Sequence, residues 1–140
     1  MGRTKLPLSF LFFLLISYSA SAQFAGGSGS EADPCQIATI EQLSNVRNYP
    51  DSCFILTADL DFTGSSFDSA NSTQGWQPIG PSHNPFTGKF NGAGHSISNM
   101  YINRTSIDNG LFGYTLGATI DSLALISCNV SGGNAIGGLV

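Results

Sequence analysis

Ser96-Ile97-Ser98-Asn99-Met100-Tyr101-Ile102-Asn103-Arg104 and, further on, Thr119-Ile120-Asp121-Ser122-Leu123-Ala124-Leu125 are two β-type runs that carry apolar residues at one spacing. Ile97, Met100 and Ile102 match Ile120, Leu123 and Leu125 at a constant offset of 23, while Gly110-Leu111-Phe112 matches Gly138-Leu139-Val140 at an offset of 28. The five-residue difference falls between strands, where a loop insertion is accommodated. Repeats with a period in the twenties, short β runs and glycine at the corners predict a solenoid, because each unit exposes an apolar face that only its neighbour covers. The predicted fold is therefore all-β, a parallel, right-handed β-helix or solenoid. Gly137-Gly138-Leu139-Val140 stops inside a repeat, without the polar closing unit such stacks use for solubility. Residues 34–140 thus read as one β-helix domain with an incomplete last repeat, truncated at its carboxyl end, with the rest of a longer chain expected downstream.

Upstream of the repeat the periodicity changes. Thr39 followed by Gln42 is a capping-box pattern, and Ile40, Leu43 and Val46 recur at helical spacing, which predicts a short α-helix over 40–48 stopped by Pro50. From Phe54 the pattern alternates. Phe54, Leu56, Ala58, Leu60 and Phe62 point one way and Thr57, Asp59 and Asp61 the other, as in a half-buried strand. Residues 63–75 are a polar loop that can vary in length without touching the core. Residues 23–33 lack periodicity and carry enough glycine to predict a flexible lead-in.

The amino end has the three parts of an export signal: Arg3 and Lys5, the apolar run Leu8 to Ile16, and small residues ending Ala20-Ser21-Ala22. The apolar run is about half of the roughly 20 residues that cross a bilayer, so residues 1–22 are predicted to be cleaved after Ala22. Gln23 stands where a lipoprotein would carry cysteine. Removing 22 of the 140 residues leaves 118, enough for one domain, with 3 basic against 9 acidic residues and a formal charge of −6. That charge repels a phosphate backbone and argues against nucleic-acid binding. No membrane span is expected in the mature segment, which is predicted to work outside the cell or at its surface.

The residues also resemble the secreted bacterial proteins that carry the GLUG motif, named for Gly-Leu-apolar-Gly. Gly110-Leu111-Phe112-Gly113 matches in full and Gly138-Leu139-Val140 matches as far as the chain extends. The similarity covers the approach as well, from Ala32-Asp33-Pro34 through Ile55-Leu56-Thr57-Ala58-Asp59-Leu60-Asp61 and Pro78-Ile79-Gly80 to Gly92-Ala93-Gly94-His95-Ser96-Ile97. The resemblance implies a repeat scaffold of an adhesin-like protein, displayed at or released from the cell surface, and carries over no catalytic residues. Cys35 and Cys53 depart from it, standing where an aromatic and a polar residue are expected.

Candidate chemistry is sparse. Cys35 and Cys53 flank the predicted helix, and in an exported chain they are read as a disulfide closing a loop of under twenty residues, worth roughly 3 kcal/mol; the alternative is two small buried residues. Cys128 is read as a core residue, since neither histidine is near it in sequence to act as a base. Asp59, Asp61 and Asp68 could offer oxygens to a hard cation or act as paired carboxylates, but they follow no calcium-loop spacing. An exposed acidic strand face is the simpler reading. His95, among Gly92, Ala93 and Gly94, is expected to pack or hydrogen-bond at a corner, and His83 lies in a separate Pro-Ser-His-Asn-Pro loop, so no metal pair forms. Trp76, Phe86 and Phe90 could make a carbohydrate platform, yet in a small domain such rings usually fill the core. Asn71, Asn103 and Asn129 each begin a glycosylation-type triplet that carries no meaning in a bacterial source. No catalytic, cofactor or metal residue is assigned. Gly110, Leu111, Phe112 and Gly113, with Gly138, Leu139 and Val140, are expected to serve fold geometry alone. The functional expectation is a non-catalytic secreted or surface scaffold, binding an unknown protein or glycan or acting as a spacer. The alternative is the amino-terminal part of a secreted hydrolase, whether a polysaccharide-acting β-helix enzyme or a peptidase with its catalytic domain downstream.

Overall fold

The computed structural model describes Gly2 and residues 23–140. The signal sequence expected over 1–22, with its cleavage after Ala22, lies outside the described residues, Gly2 apart. In chain order the elements are β1 (Cys35–Ile37), α1 (Ile40–Asn45) running into a 3-10 turn (Val46–Asn48), β2 (Cys53–Leu56), β3 (Leu60–Asp61), β4 (Lys89–Asn91), β5 (Ser96–Ser98), β6 (Tyr101–Arg104), β7 (Thr119–Asp121), β8 (Ala124–Ile126) and β9 (Asn129–Gly132).

The strands form three small parallel sheets in the orders β1-β2-β4-β7, β3-β5-β8 and β6-β9. This corrects the expectation of an all-β right-handed β-helix or solenoid: the described residues form no solenoid, but three short sheets and one short helix. The connections are unequal, and that is the physical reason. α1 fills the crossover from β1 to β2, residues 62–88 contain no named strand, and antiparallel bridges at Gly26 with Gln36 and Gly75 with Ile102 break the parallel pattern.

The offset of 23 is corrected as well. Ile97 pairs with Leu125 and Ile102 with Val130, twenty-eight residues on. Leu111 and Phe112 follow the same step, their amides donating to the carbonyls of Gly138 (3.0 Å) and Leu139 (2.9 Å). Ile120 instead pairs with Phe90 in the first sheet. Asn129 pairs with Tyr101, so Cys128 stands beside Met100, partly buried against the core rather than within it.

Local chemistry explains the elements. Thr39 caps α1 by accepting from the Gln42 amide (3.2 Å), and the Gln42 side chain accepts from the amide of Ala38, the residue before the cap (2.7 Å), so the first turn and its approach are tied reciprocally. Ile40, Leu43 and Val46 turn inward from this segment. The alternation from Phe54 to Phe62 is real, but it crosses a corner. Residues 57–59 turn the chain, so the one strand expected there is two, β2 and β3, in different sheets, with Phe54, Leu56, Leu60 and Phe62 all buried.

Aromatic rings fill the space between the sheets. Phe86 lies 6.1 Å from Phe54 and 4.9 Å from Phe112 between centroids, while Phe62 and Phe67 meet Trp76 edge-on at 5.3 and 5.1 Å. Residues 23–33, expected as a flexible lead-in, are tied back. Ala25 donates to the Gln36 carbonyl and Gln36 to the Gly26 carbonyl, each at 2.8 Å, and Phe24 packs on Phe54 and Tyr49.

Candidate functional site

The carboxylates singled out in the sequence are held apart, each by a turn. Asp59 Oδ1 accepts from the Ser96 amide (2.9 Å) and lies 3.1 Å from His95 Nδ1. Asp61 Oδ1 accepts from the Thr63 amide and from Asn99 Nδ2, both at 2.9 Å. Asp68 accepts from the amides of Gly64 (2.6 Å) and Ala70 (3.3 Å). These donors hold all three carboxyls below the usual carboxylate range, led by the Ser96 amide at Asp59, the Asn99 side chain at Asp61 and the Gly64 amide at Asp68. A general acid requires the opposite shift. Asp59 and Asp61 therefore act as ties between β3 and the β5 region. Among the described residues no group of three His, Cys, Asp or Glu is placed to hold a metal ion.

Trp76, Phe86 and Phe90 are buried to within 1 % of full enclosure, so they form no ligand platform. His95 joins Asp59 at the corner. Cys35 and Cys53 come to neighbouring strands but remain free thiols. Cys35 stands opposite Phe54, one position out of register with Cys53. The pleat then turns Cys35 toward the core with Phe54, and Cys53 toward the outer face beside Lys89 and Asn91. Bridging them would require β2 to slip by one residue, which would expose Phe54 and Leu56. Alkylation without reductant decides between this arrangement and the disulfide expected from the sequence.

Gly110 to Gly113 is bonded on both sides. The Gly113 amide donates to the Ile79 carbonyl (2.7 Å), the Leu111 carbonyl accepts from the Ile79 amide (3.0 Å) and from Trp76 Nε1 (3.1 Å), and residues 138 and 139 accept on the other side. A Cβ at Gly113 would meet the Gly80 carbonyl oxygen at 2.9 Å and that of Asp108 at 3.1 Å. Close approach of neighbouring backbone, rather than a left-handed φ, is what demands glycine there.

Sequence reasoning missed two groups. Arg47 and Arg104 converge on residues 74–77. Arg47 donates to the Ser44 hydroxyl and the Gln77 carbonyl, and Arg104 to the carbonyls of Gly75 and Trp76 and to the side chain of Gln74. Burial, and then the Arg104 charge, pull Arg47 below the usual arginine value. Asn109 is the one buried polar residue among those described, its Nδ2 donating to the carbonyls of Ser106 (2.6 Å) and Arg104 (3.3 Å). The only local signal was the dipeptide Asn109-Gly110, a turn pattern.

The last strands of the three sheets, β7, β8 and β9, share one edge. Thr119 donates to the Gly88 carbonyl and the Asp121 carbonyl accepts from Gly92, so the alternate residue, Ile120, turns its N–H and C=O to the open side. The same holds for Leu125, between Ala124, which donates to His95, and Ile126, which accepts from Asn99. Phe90, Ile97 and Ile102 are fully buried, whereas their partners Ile120, Leu125 and Val130 are only half-buried. Ile136 (49 % exposed), Leu139 (37 %) and Val140 (52 %) extend this apolar edge. Residues 24–26 occupy the free side of β1 through the bridge of Gly26 to Gln36.

No helix among the described residues is long and apolar enough to cross a membrane. No family model matches the chain, and no solved structure matches it. The chain is similar to part of a Gly-rich membrane protein of Evansella cellulosilytica, 41 % identical over 101 residues that cover 70 % of this chain and 11 % of that protein. It is also similar to part of halomucin of Haloquadratum walsbyi, 32 % identical over 119 residues that cover 79 % of this chain and 1 % of halomucin. The chain thus spans about a tenth of the length of the first of these relatives and about a hundredth of the second.

Proposed function

We propose that this chain is a non-catalytic scaffold module of a protein that works at or outside the cell surface, where it binds a partner or spaces one apart. The observation that carries the reading is the use of Asp59, Asp61 and Asp68. Each is bonded to backbone or side-chain donors that fix it in a turn and favour its ionised form, the opposite of what a general acid requires. The names of the two relatives, a membrane protein and halomucin, support the surface placement. The export-signal pattern of residues 1–22 and the resemblance to GLUG-motif proteins belong to the same proposal. Expression of the whole chain in a bacterial host, followed by fractionation, is expected to yield a product outside the cytoplasm that begins at Gln23. That product should leave polysaccharide and peptide panels intact. Turnover that is lost in Asp59→Asn or Asp61→Asn would overturn the scaffold reading.

A further inference from the structure

We propose that the notch between residues 77–82 and residues 104–108 is a binding site for a neutral sugar, held through its hydroxyl groups. The inference rests on the scaffold reading and deepens it by naming the ligand class and the place where it binds.

The notch has a volume of about 370 Å3, within the range of small-molecule sites. Its walls are made without the last strands of the sheets. Residues 77–82 are tied to the segment after the second wall through the bridge of Ile79 to Phe112, and residues 133–136 already stack on that wall, Gly133 donating to the Ser106 carbonyl and Asn109 bridging to Ile136. The two groups that sequence reasoning missed both serve this place. Arg104 lines the notch with three of its five N–H groups engaged by Gln74, Gly75 and Trp76, so the guanidinium is fixed and two donors are left over. The buried Asn109 side chain holds the second wall from behind through the carbonyls of Ser106 and Arg104.

Asp108 supplies the opposite charge. Asp59, Asp61 and Asp68 each answer the amide of a turn, whereas the partly buried Asp108 forms no ion pair among the described residues and faces the notch. Its φ is +61°, a left-handed backbone that aspartate adopts only at a cost, and such strain gathers at sites with a task. One carboxylate and one guanidinium offset each other, so the notch favours a ligand without net charge. The carboxylate accepts from hydroxyls, the guanidinium donates to oxygens, and Ser82 and Ser106 do both. Pro78 and the exposed Ile107 add an apolar wall. A ring with hydroxyls at its rim, C–H groups on its face and no charge matches all of these together, and that is a neutral sugar.

The test is an amide-resolved NMR titration of the secreted chain with methyl glucoside, methyl galactoside, methyl mannoside and N-acetylglucosamine, with glucuronate and free glycine for comparison. At least one neutral sugar is expected to shift the amides of residues 80–82 and 104–108, with a Kd on the order of 1 mM, and to bind more tightly than glucuronate or glycine. Asp108→Gly removes the carboxylate at a backbone angle that glycine adopts freely, so it should weaken the sugar by about tenfold while leaving the Tm unchanged or raised. Ile107→Ser, which removes the apolar wall from an exposed position, is the second variant and should also weaken binding. Glu41→Gln, an exposed carboxylate on α1, is the control and should bind like the parent. No shift with any neutral sugar, tighter binding of glucuronate or glycine, or an Asp108→Gly variant that binds as well as the parent or melts earlier each overturns the proposal. Those outcomes leave the scaffold reading standing, whereas turnover of a bound glycoside removes that reading and leaves the site.

Discussion

The guanidinium carbon of Arg47 sits 4.8 Å from the centroid of the Trp76 ring. The 3-10 turn that follows α1 is thereby clamped to the aromatic group of Phe62, Phe67 and Trp76, while Arg104 holds the same stretch through the carbonyls of Gly75 and Trp76. A lysine at 47 keeps a charge but loses the planar fork that stacks and donates in two directions at once. Arg47→Lys is expected to lower stability by about 1 kcal/mol, and Arg47→Ala by about 2, since the alanine also removes the packed stem. Chemical denaturation of both variants checks the order, and equal effects would show that the fork contributes nothing.

The Gly110 to Gly113 turn makes a second prediction. Gly113→Val brings a side chain against the Gly80 and Asp108 carbonyls and should cost about 1–3 kcal/mol through overpacking. Phe112→Ala removes a ring packed between Phe86 and Phe90 and should cost about 3–5 kcal/mol. Thermal melts without any ligand should show both losses. Unchanged melts for both variants would defeat this structural account.

Acid should loosen the corners. Asp59, Asp61 and Asp68 have folded-state values below their ordinary ones, so the stability they contribute is present above the ordinary carboxylate range, about pH 4, and is lost as the pH falls through the lowered values. A Tm series from pH 6 to pH 2 is expected to drop in that lower window. Asp59→Asn, which keeps a weaker acceptor for the Ser96 amide, should flatten part of the drop. A profile identical in the variant would show that this tie carries no proton linkage.

Cysteine chemistry checks the register of β1 on β2. Alkylation under denaturing conditions without reductant should modify both Cys35 and Cys53. In the native protein Cys53 should react first, because Cys35 is 8 % exposed and burial pushes its thiol up. Recovery of a linked pair of peptides would place the two side chains on one face and force a different register.

What the sequence disclosed was local. Thr39 and Gln42 announce the capped turn, and the two-residue period from Phe54 to Phe62 identifies every inward side chain of β2 and β3. The corner at residues 57–59 was invisible because the alternation runs through it unbroken, with small Ala58 at the bend. The register was ambiguous for a different reason. The spacing of Ile97, Met100 and Ile102 recurs twice in overlapping fashion, at Ile120, Leu123 and Leu125 and again at Leu125, Cys128 and Val130. The first set looks more apolar, yet hydrogen bonding selects the second. The arginines at 47 and 104 were beyond sequence reasoning, since each finds backbone acceptors about thirty residues away.

The two registers meet at one corner. Asn91 stands opposite Asp121, thirty residues on, while Ser96 stands opposite Ala124, twenty-eight residues on, so the turn of residues 92–95 is two residues longer than its counterpart at 122–123. The surplus bulges out at Ala93 and Gly94, both with positive φ, and leaves the ladders on either side in phase. For the gene this is a buffer against misaligned duplication: a copying slip of one or two codons falls harmlessly when it lands in such a turn, and ruinously when it lands in a strand three residues long. Lineages carrying this segment should therefore diverge in length at the turns first, keeping the apolar positions of β4, β5 and β6 in step while the codons between them come and go.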